Sequence, residues 1–105
     1  MLEENWDIHQ YKFFKKLTQL PFIEEIELYG SRARGDNTSR SDIDLAIICP
    51  KASDSDWIKV FEIIEDADTL LKIDYVRFDQ LDDANPLKKN IIRDRVVLYK
   101  RDRSN

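Results

Sequence analysis

The chain has 105 residues, a formal net charge of −4, 42% hydrophobic residues and 36% charged residues. That length suits one domain with one core, residues 1–105, and the composition excludes a disordered chain. No apolar run approaches the roughly 18 residues of a membrane span, and the acidic balance argues against a clamp for long nucleic acid, which needs a basic stripe.

In chain order, "MLEENWDIHQ" lacks the basic-then-apolar order of a secretory signal. Residues 6–19 predict an amphipathic helix with Trp6, Phe13, Phe14 and Leu17 on one face and Pro21 beyond its end. His9, the single histidine, lies in that helix with no Cys or His nearby and is expected to be structural, not a metal ligand. Ile23 to Tyr29 alternates as a first strand. Gly30 ends it, and Ser31 would open a short helical turn.

"DIDLAIIC", Asp42 to Cys49, is the clearest strand. Ile43, Leu45 and Ile47 face one way, and Asp42, Asp44, Ala46 and Ile48 the other. Cys49, the single cysteine, excludes an intramolecular disulfide and reads as a core thiol, with a reducing cytoplasm the expected location. "SDSDW" then offers N-caps for a helix over about residues 54–68. Trp57, Val60, Phe61, Ile64 and Ala67 form its predicted buried stripe, widened by Ile58 and Ile63. That width is read as deep packing on the sheet rather than as a partner surface.

Leu71 to Phe78 predicts a third strand with Asp74 near its start. "LDDANP" is a turn into a helix from about Pro86 to Arg95, and Val96 to Lys100 is a closing strand before a charged tail expected to fray. Trp6 and Trp57 are assigned to the core. The order α-β-β-α-β-α-β predicts an α/β (α+β) fold with a small mixed sheet flanked by helices.

Aspartates are poor strand formers, and a carboxylate beside a core is costly. Asp42 and Asp44 stand two apart, so their side chains leave one face with Cα atoms roughly 6.5–7 Å apart. Such a pair suits Mg²⁺, which takes one or two carboxylates plus water and phosphate oxygens. Asp74 would add a third carboxylate if its strand lies beside theirs; the alternative is three exposed acids at strand ends. The Gly30–Ser31 turn suits a phosphate oxygen. Gly30 and Gly35 have P-loop separation, but Asp36 and Asn37 stand where a Walker A loop needs Lys and Ser or Thr. The basic residues Arg32, Arg34 and Arg40 could meet a small phosphate ligand, whereas those from Lys88 to Arg103 are read as a solvated face and tail. "RGD" at Arg34 to Asp36 is a coincidence in a chain of this kind.

Gly30-Ser31, ten intervening residues, then Asp42-x-Asp44 match the signature of the nucleotidyltransferase superfamily related to DNA polymerase β. With the apolar strand before it and the later Asp in "IDYV", the chain resembles the minimal nucleotidyltransferases (MNT proteins) of prokaryotes from about residue 7 to 100. The resemblance implies the polymerase β-like fold and assigns Gly30 and Ser31, with Arg34 added, to nucleotide phosphate. It makes Asp42 and Asp44 metal ligands and Asp74 a third acid that helps hold metal and can accept a proton from the attacking hydroxyl.

The function so implied is Mg²⁺-dependent transfer of AMP from ATP. Stand-alone MNT proteins of this size typically work beside a small helical HEPN partner as the antitoxin of a toxin–antitoxin pair, and some add AMP to a hydroxyl of the toxin. A module that neutralises such a partner by contact alone is the alternative, and a small-molecule nucleotidyltransferase a third. A homodimer or a partner complex would cover the acceptor side that a minimal domain leaves open.

Overall fold

The computed structural model describes residues 6–102. After a 3₁₀ turn at Ile8–Gln10, the chain forms α1 (Lys12–Thr18), β1 (Glu25–Tyr29), the one-turn α2 (Ser31–Arg34) and β2 (Ile43–Ile48). It continues through α3 (Asp54–Glu65), β3 (Ile73–Arg77), a 3₁₀ turn at Phe78–Gln80, α4 (Pro86–Asp94) and β4 (Val96–Lys100). The four strands make one mixed sheet in the order β3-β2-β1-β4, with β2 and β3 parallel and the other pairs antiparallel. The expected fold class and element order hold. Among the described residues no helix is long and apolar enough to cross a membrane.

The sheet's two faces differ in chemistry. Ile26 and Leu28 of β1 and Ile43, Leu45 and Ile47 of β2 meet Phe13, Phe14 and Leu17 of α1 and Val60 and Ile64 of α3 in the main core. On the opposite face Tyr29, Ala46 and Ile91 form a smaller cluster beneath α4, with Val76 and Leu87 against it. The alternation of β2 therefore sends its aliphatic residues into the main core and Asp44 and Ala46 to the α4 side. Cys49 is buried, as expected of a core thiol.

Several boundaries differ from expectation. The single helix over 6–19 is two pieces, because Tyr11 is extended (φ −87°, ψ 140°) between the 3₁₀ turn and α1. Asp7 caps the 3₁₀ turn through His9 N–H and also meets His9 Nδ1 at 2.7 Å, so His9 sits exposed in a turn rather than in an α-helix. Strands β1, β2 and β3 are shorter than the apolar runs that announce them, and Asp42 lies just before β2.

Helix α3 starts as its sequence indicates. Ser53 is the N-cap and forms a capping box with Asp56. Its burial is narrower than predicted: Val60 and Ile64 are buried and Trp57, Ile63 and Ala67 pack at the margin, but Phe61 is 49% and Ile58 57% exposed. Those two belong to the next stripe around the helix, turned out from the sheet. Trp6 and Trp57 are likewise marginal to the core. At the C-terminus Arg101 is anchored, its N–H donating to Glu24 O at 2.8 Å and its guanidinium to Pro21 O. Arg103, the last of the C-terminal basic group, lies outside the described residues with Ser104 and Asn105.

Candidate active site

Tyr29 at the end of β1 pairs with Asp44 of β2, and Asp44 pairs in turn with Asp74 of β3. Three neighbouring strands thus put Tyr29, Asp44 and Asp74 in one row across the face opposite the main core. Asp42, two residues before Asp44, joins that row by alternation. Each of the three aspartates offers a carboxylate oxygen, and these oxygens all lie within 4.8 Å of one another. The expected condition for a third acid is met: the strands of Asp44 and Asp74 are adjacent and in register.

The electrostatics match an acid cluster awaiting positive charge. Burial pushes the Asp44 carboxyl up to about 6, and the charges of Asp74 and Asp42 add to the rise, while Arg34 opposes it. Tyr29 is pushed up to about 12, by burial first and then by Asp44 and Asp74. Lys72 Nζ reaches Asp74 Oδ1 at 3.6 Å from an exposed position. Half-buried carboxylates this close repel one another, and a divalent cation would relieve that repulsion. The donor set of hard oxygens fits such an ion, with Asp42, Asp44 and Asp74 as the residues that would hold it.

Gly30 makes the turn that brings the chain back over these acids. Its backbone has φ +76° and ψ −158°, a region open essentially only to glycine. A Cβ there would stand 2.3 Å from Asp44 Oδ2. Ser31 follows as the first residue of α2, ahead of the Ala33 and Arg34 N–H groups, which both donate to Gly30 O at 3.1 Å. Gly35 closes α2 in the left-handed region at φ +85°, its N–H donating to Ser31 O at 2.9 Å.

The two arginines of α2 part company. Arg32 is buried, only 8% exposed. Its Nε donates to Ser41 O at 3.1 Å, its Nη2 to Ser39 O at 3.2 Å, and its guanidinium lies 4.3 Å over the Trp6 ring. Arg32 thereby pins the loop that ends at Asp42. Thr38 and Ser41 tie the same loop to itself, with Thr38 N–H donating to Ser41 Oγ at 2.9 Å. Arg34 instead meets Asp36 at 3.1 Å and Asp94 at 2.8 Å, within electrostatic reach of Asp44.

Two participants were not among the residues singled out from the sequence, Tyr29 and Asp94, and neither was the buried Glu27. The antiparallel partner of Asp44 would have pointed to Tyr29 had the strand order been known. No local pattern marks Asp94, which meets Arg34 across 60 positions. Glu27 is 1% exposed, with Oε2 3.6 Å from Arg95 Nη1 and Oε1 without a hydrogen-bond partner. An alternating strand gives no sign that its charged position will be buried.

Comparison with known proteins agrees with this geometry. Among solved structures, a protein of Sulfolobus solfataricus with a provisional nucleotidyltransferase assignment matches with a TM-score of 0.56 and 26% identity, covering 86% of this chain and 76% of that one. No curated protein matches the sequence significantly. The family model for the polymerase beta nucleotidyltransferases matches residues 12–104, nearly the whole chain, and with the acid cluster and the Gly30–Ser31 turn in place the chain belongs to that family.

Proposed function

We propose that the protein transfers AMP from Mg²⁺-bound ATP to a hydroxyl of a small helical protein partner of the HEPN type, in an antitoxin role. The observation that carries the transferase part is the convergence of Asp42, Asp44 and Asp74 within 4.8 Å beside the Gly30–Ser31 turn. A divalent cation held by these three acids would neutralise phosphate charge and favour ionisation of the acceptor hydroxyl.

The chain's own residues then have distinct tasks. Gly30 and Ser31 cradle phosphate oxygens through backbone N–H groups and the serine hydroxyl. Arg34 meets the triphosphate charge. Asp74, on the edge strand of the sheet, is open to an incoming acceptor and takes its proton. The acceptor oxygen forms a bond to the α-phosphorus as the bond to the β-phosphate oxygen breaks, and pyrophosphate leaves in line. The partner assignment rests on the resemblance to the MNT proteins carried by the Gly30–Ser31 and Asp42-x-Asp44 spacing.

A second reading, binding of the partner without transfer, draws support from the apolar strip of Ile58 and Phe61 on the outer side of α3. One experiment separates the two. The purified protein is incubated with Mg²⁺, α-labelled ATP and cell extract, beside an Asp42→Asn/Asp44→Asn control. A labelled protein band that vanishes in the control, identified by mass, supports transfer; binding of Mg²⁺–ATP without any label favours contact alone.

A further inference from the structure

Asp94 ends α4 with a side chain only 5% exposed, and it meets arginines from two parts of the chain. Arg93 Nε donates to Oδ1 at 2.8 Å and Arg93 Nη2 to Oδ2 at 3.0 Å, a bidentate fork that fixes the carboxylate plane. Arg34 Nη1 then donates to Oδ2 at 2.8 Å. From the other side Asp36 Oδ2 accepts from Arg34 Nε at 3.1 Å. The Arg34 guanidinium is thus oriented by carboxylates on two edges, while its Nη2 has no acceptor among the described residues. The two arginines hold the Asp94 carboxyl down at about 2, Arg93 contributing most, so the contact persists across the neutral range.

This restraint bears on the site because Arg34 lies within electrostatic reach of Asp44. An arginine at the end of a one-turn helix would otherwise sample many rotamers and lose that freedom on meeting a ligand. We infer that Asp94 is a positioning residue for phosphate recognition: it holds the Arg34 guanidinium beside the aspartate cluster and leaves Nη2 available to an anionic oxygen of a nucleoside triphosphate. The inference rests on reading this surface as a nucleotide site, and it deepens that reading by placing an essential support on α4, outside the motif. Asp36 alone, exposed in the loop, offers a weaker hold, since an exposed pair contributes little.

The test is calorimetric binding of α,β-methylene ATP with Mg²⁺, and of Mg²⁺ alone, to the full chain. Wild type is compared with Asp94→Ala, Asp94→Asn, Asp94→Glu, Arg34→Ala and the Asp94→Ala/Arg34→Ala double variant. Loss of the restraint is expected to weaken nucleotide binding about tenfold in Asp94→Ala and about threefold in Asp94→Asn, which keeps an acceptor but not the charge. Asp94→Glu recovers part of the loss, and Mg²⁺ alone binds as in wild type. In the Arg34→Ala background the Asp94 change has no further effect. Equal weakening with and without Arg34, or none in either Asp94 variant, overturns the inference while leaving the nucleotide site intact. A wild-type protein that binds Mg²⁺ but no nucleotide overturns the nucleotide reading and the inference with it.

Discussion

Gly30 and Asp44 occupy adjoining space across β1 and β2: the missing side chain of the first is the room taken by the carboxylate of the second, with only 2.3 Å between Asp44 Oδ2 and the place a Cβ would fill. The glycine serves the face that carries the three aspartates as well as the turn. Its positive φ and the acid cluster are therefore linked features of one corner of the fold.

Gly30→Ala is expected to suffer twice. The backbone conformation costs on the order of 1–3 kcal/mol with any side chain, and the displaced Asp44 no longer converges with Asp42 and Asp74. Unfolding by urea should report the first loss, and Mg²⁺ titration the second. A variant that binds Mg²⁺ as wild type does would refute the steric link.

Asp44→Asn is expected to separate stability from function. Removing one of three crowded charges relieves repulsion, so the metal-free protein should melt about 2–5 °C higher. The further rise that Mg²⁺ gives wild type should disappear, and transfer should fall by about a hundredfold or more. Melting curves with and without Mg²⁺ check the first two points; an undiminished Mg²⁺ effect would remove Asp44 from the ligand set.

Glu27 predicts a pH dependence opposite to that of most paired carboxylates. Burial, then the neighbouring Glu25, push its carboxyl up to about 7 in the fold from an ordinary 4.5, with Arg95 opposing. Between those values the native chain keeps a proton that the unfolded chain has released, so stability falls as pH rises through that window. The loss is on the order of 2 kcal/mol and is complete above about pH 7. Glu27→Gln, which is neutral at every pH, should flatten this slope and be the more stable protein at pH 8. Parallel urea curves from pH 5 to 8 decide it; an unchanged slope would assign the effect elsewhere.

Asp68 is expected to matter for a helix far from it in sequence. Tyr11 gives α1 no side-chain cap, and Asp68 supplies one by accepting from Lys12 N–H at 2.9 Å and Phe13 N–H at 3.0 Å. Those bonds hold its carboxyl below the ordinary range. Asp68→Ala should lower the urea midpoint by about 0.5 M, with Asp68→Asn nearer to wild type. No change in midpoint would mean that packing alone fixes α1.

The sequence by itself determined most of the features written within a few residues. The alternation of β2 fixed which of its residues enter the core and which stand with Asp44, because successive side chains leave opposite faces of a strand. The "SDSDW" run announced the start of α3, which Ser53 caps, and Pro86 announced that of α4, which begins at that residue. The Gly30–Ser31 and Asp42-x-Asp44 spacing marked the candidate site and its family. The same local logic misjudged Tyr11, which interrupts the first helix, and Phe61, whose place in an apolar run says nothing of how far the sheet extends beneath it.

The tertiary structure decided what depends on which strands and faces meet. Asp74 became the third acid only because β3 lies parallel to β2 in register. Glu27 was buried beside Arg95, Asp68 capped α1 across 56 positions, and Asp94 found Arg34 across 60. Periodicity and capping act between neighbours along the chain and leave a readable pattern. Cross-sheet burial and long-range ion pairs act between segments whose adjacency is set by packing the whole chain at once, so no short stretch of sequence contains them.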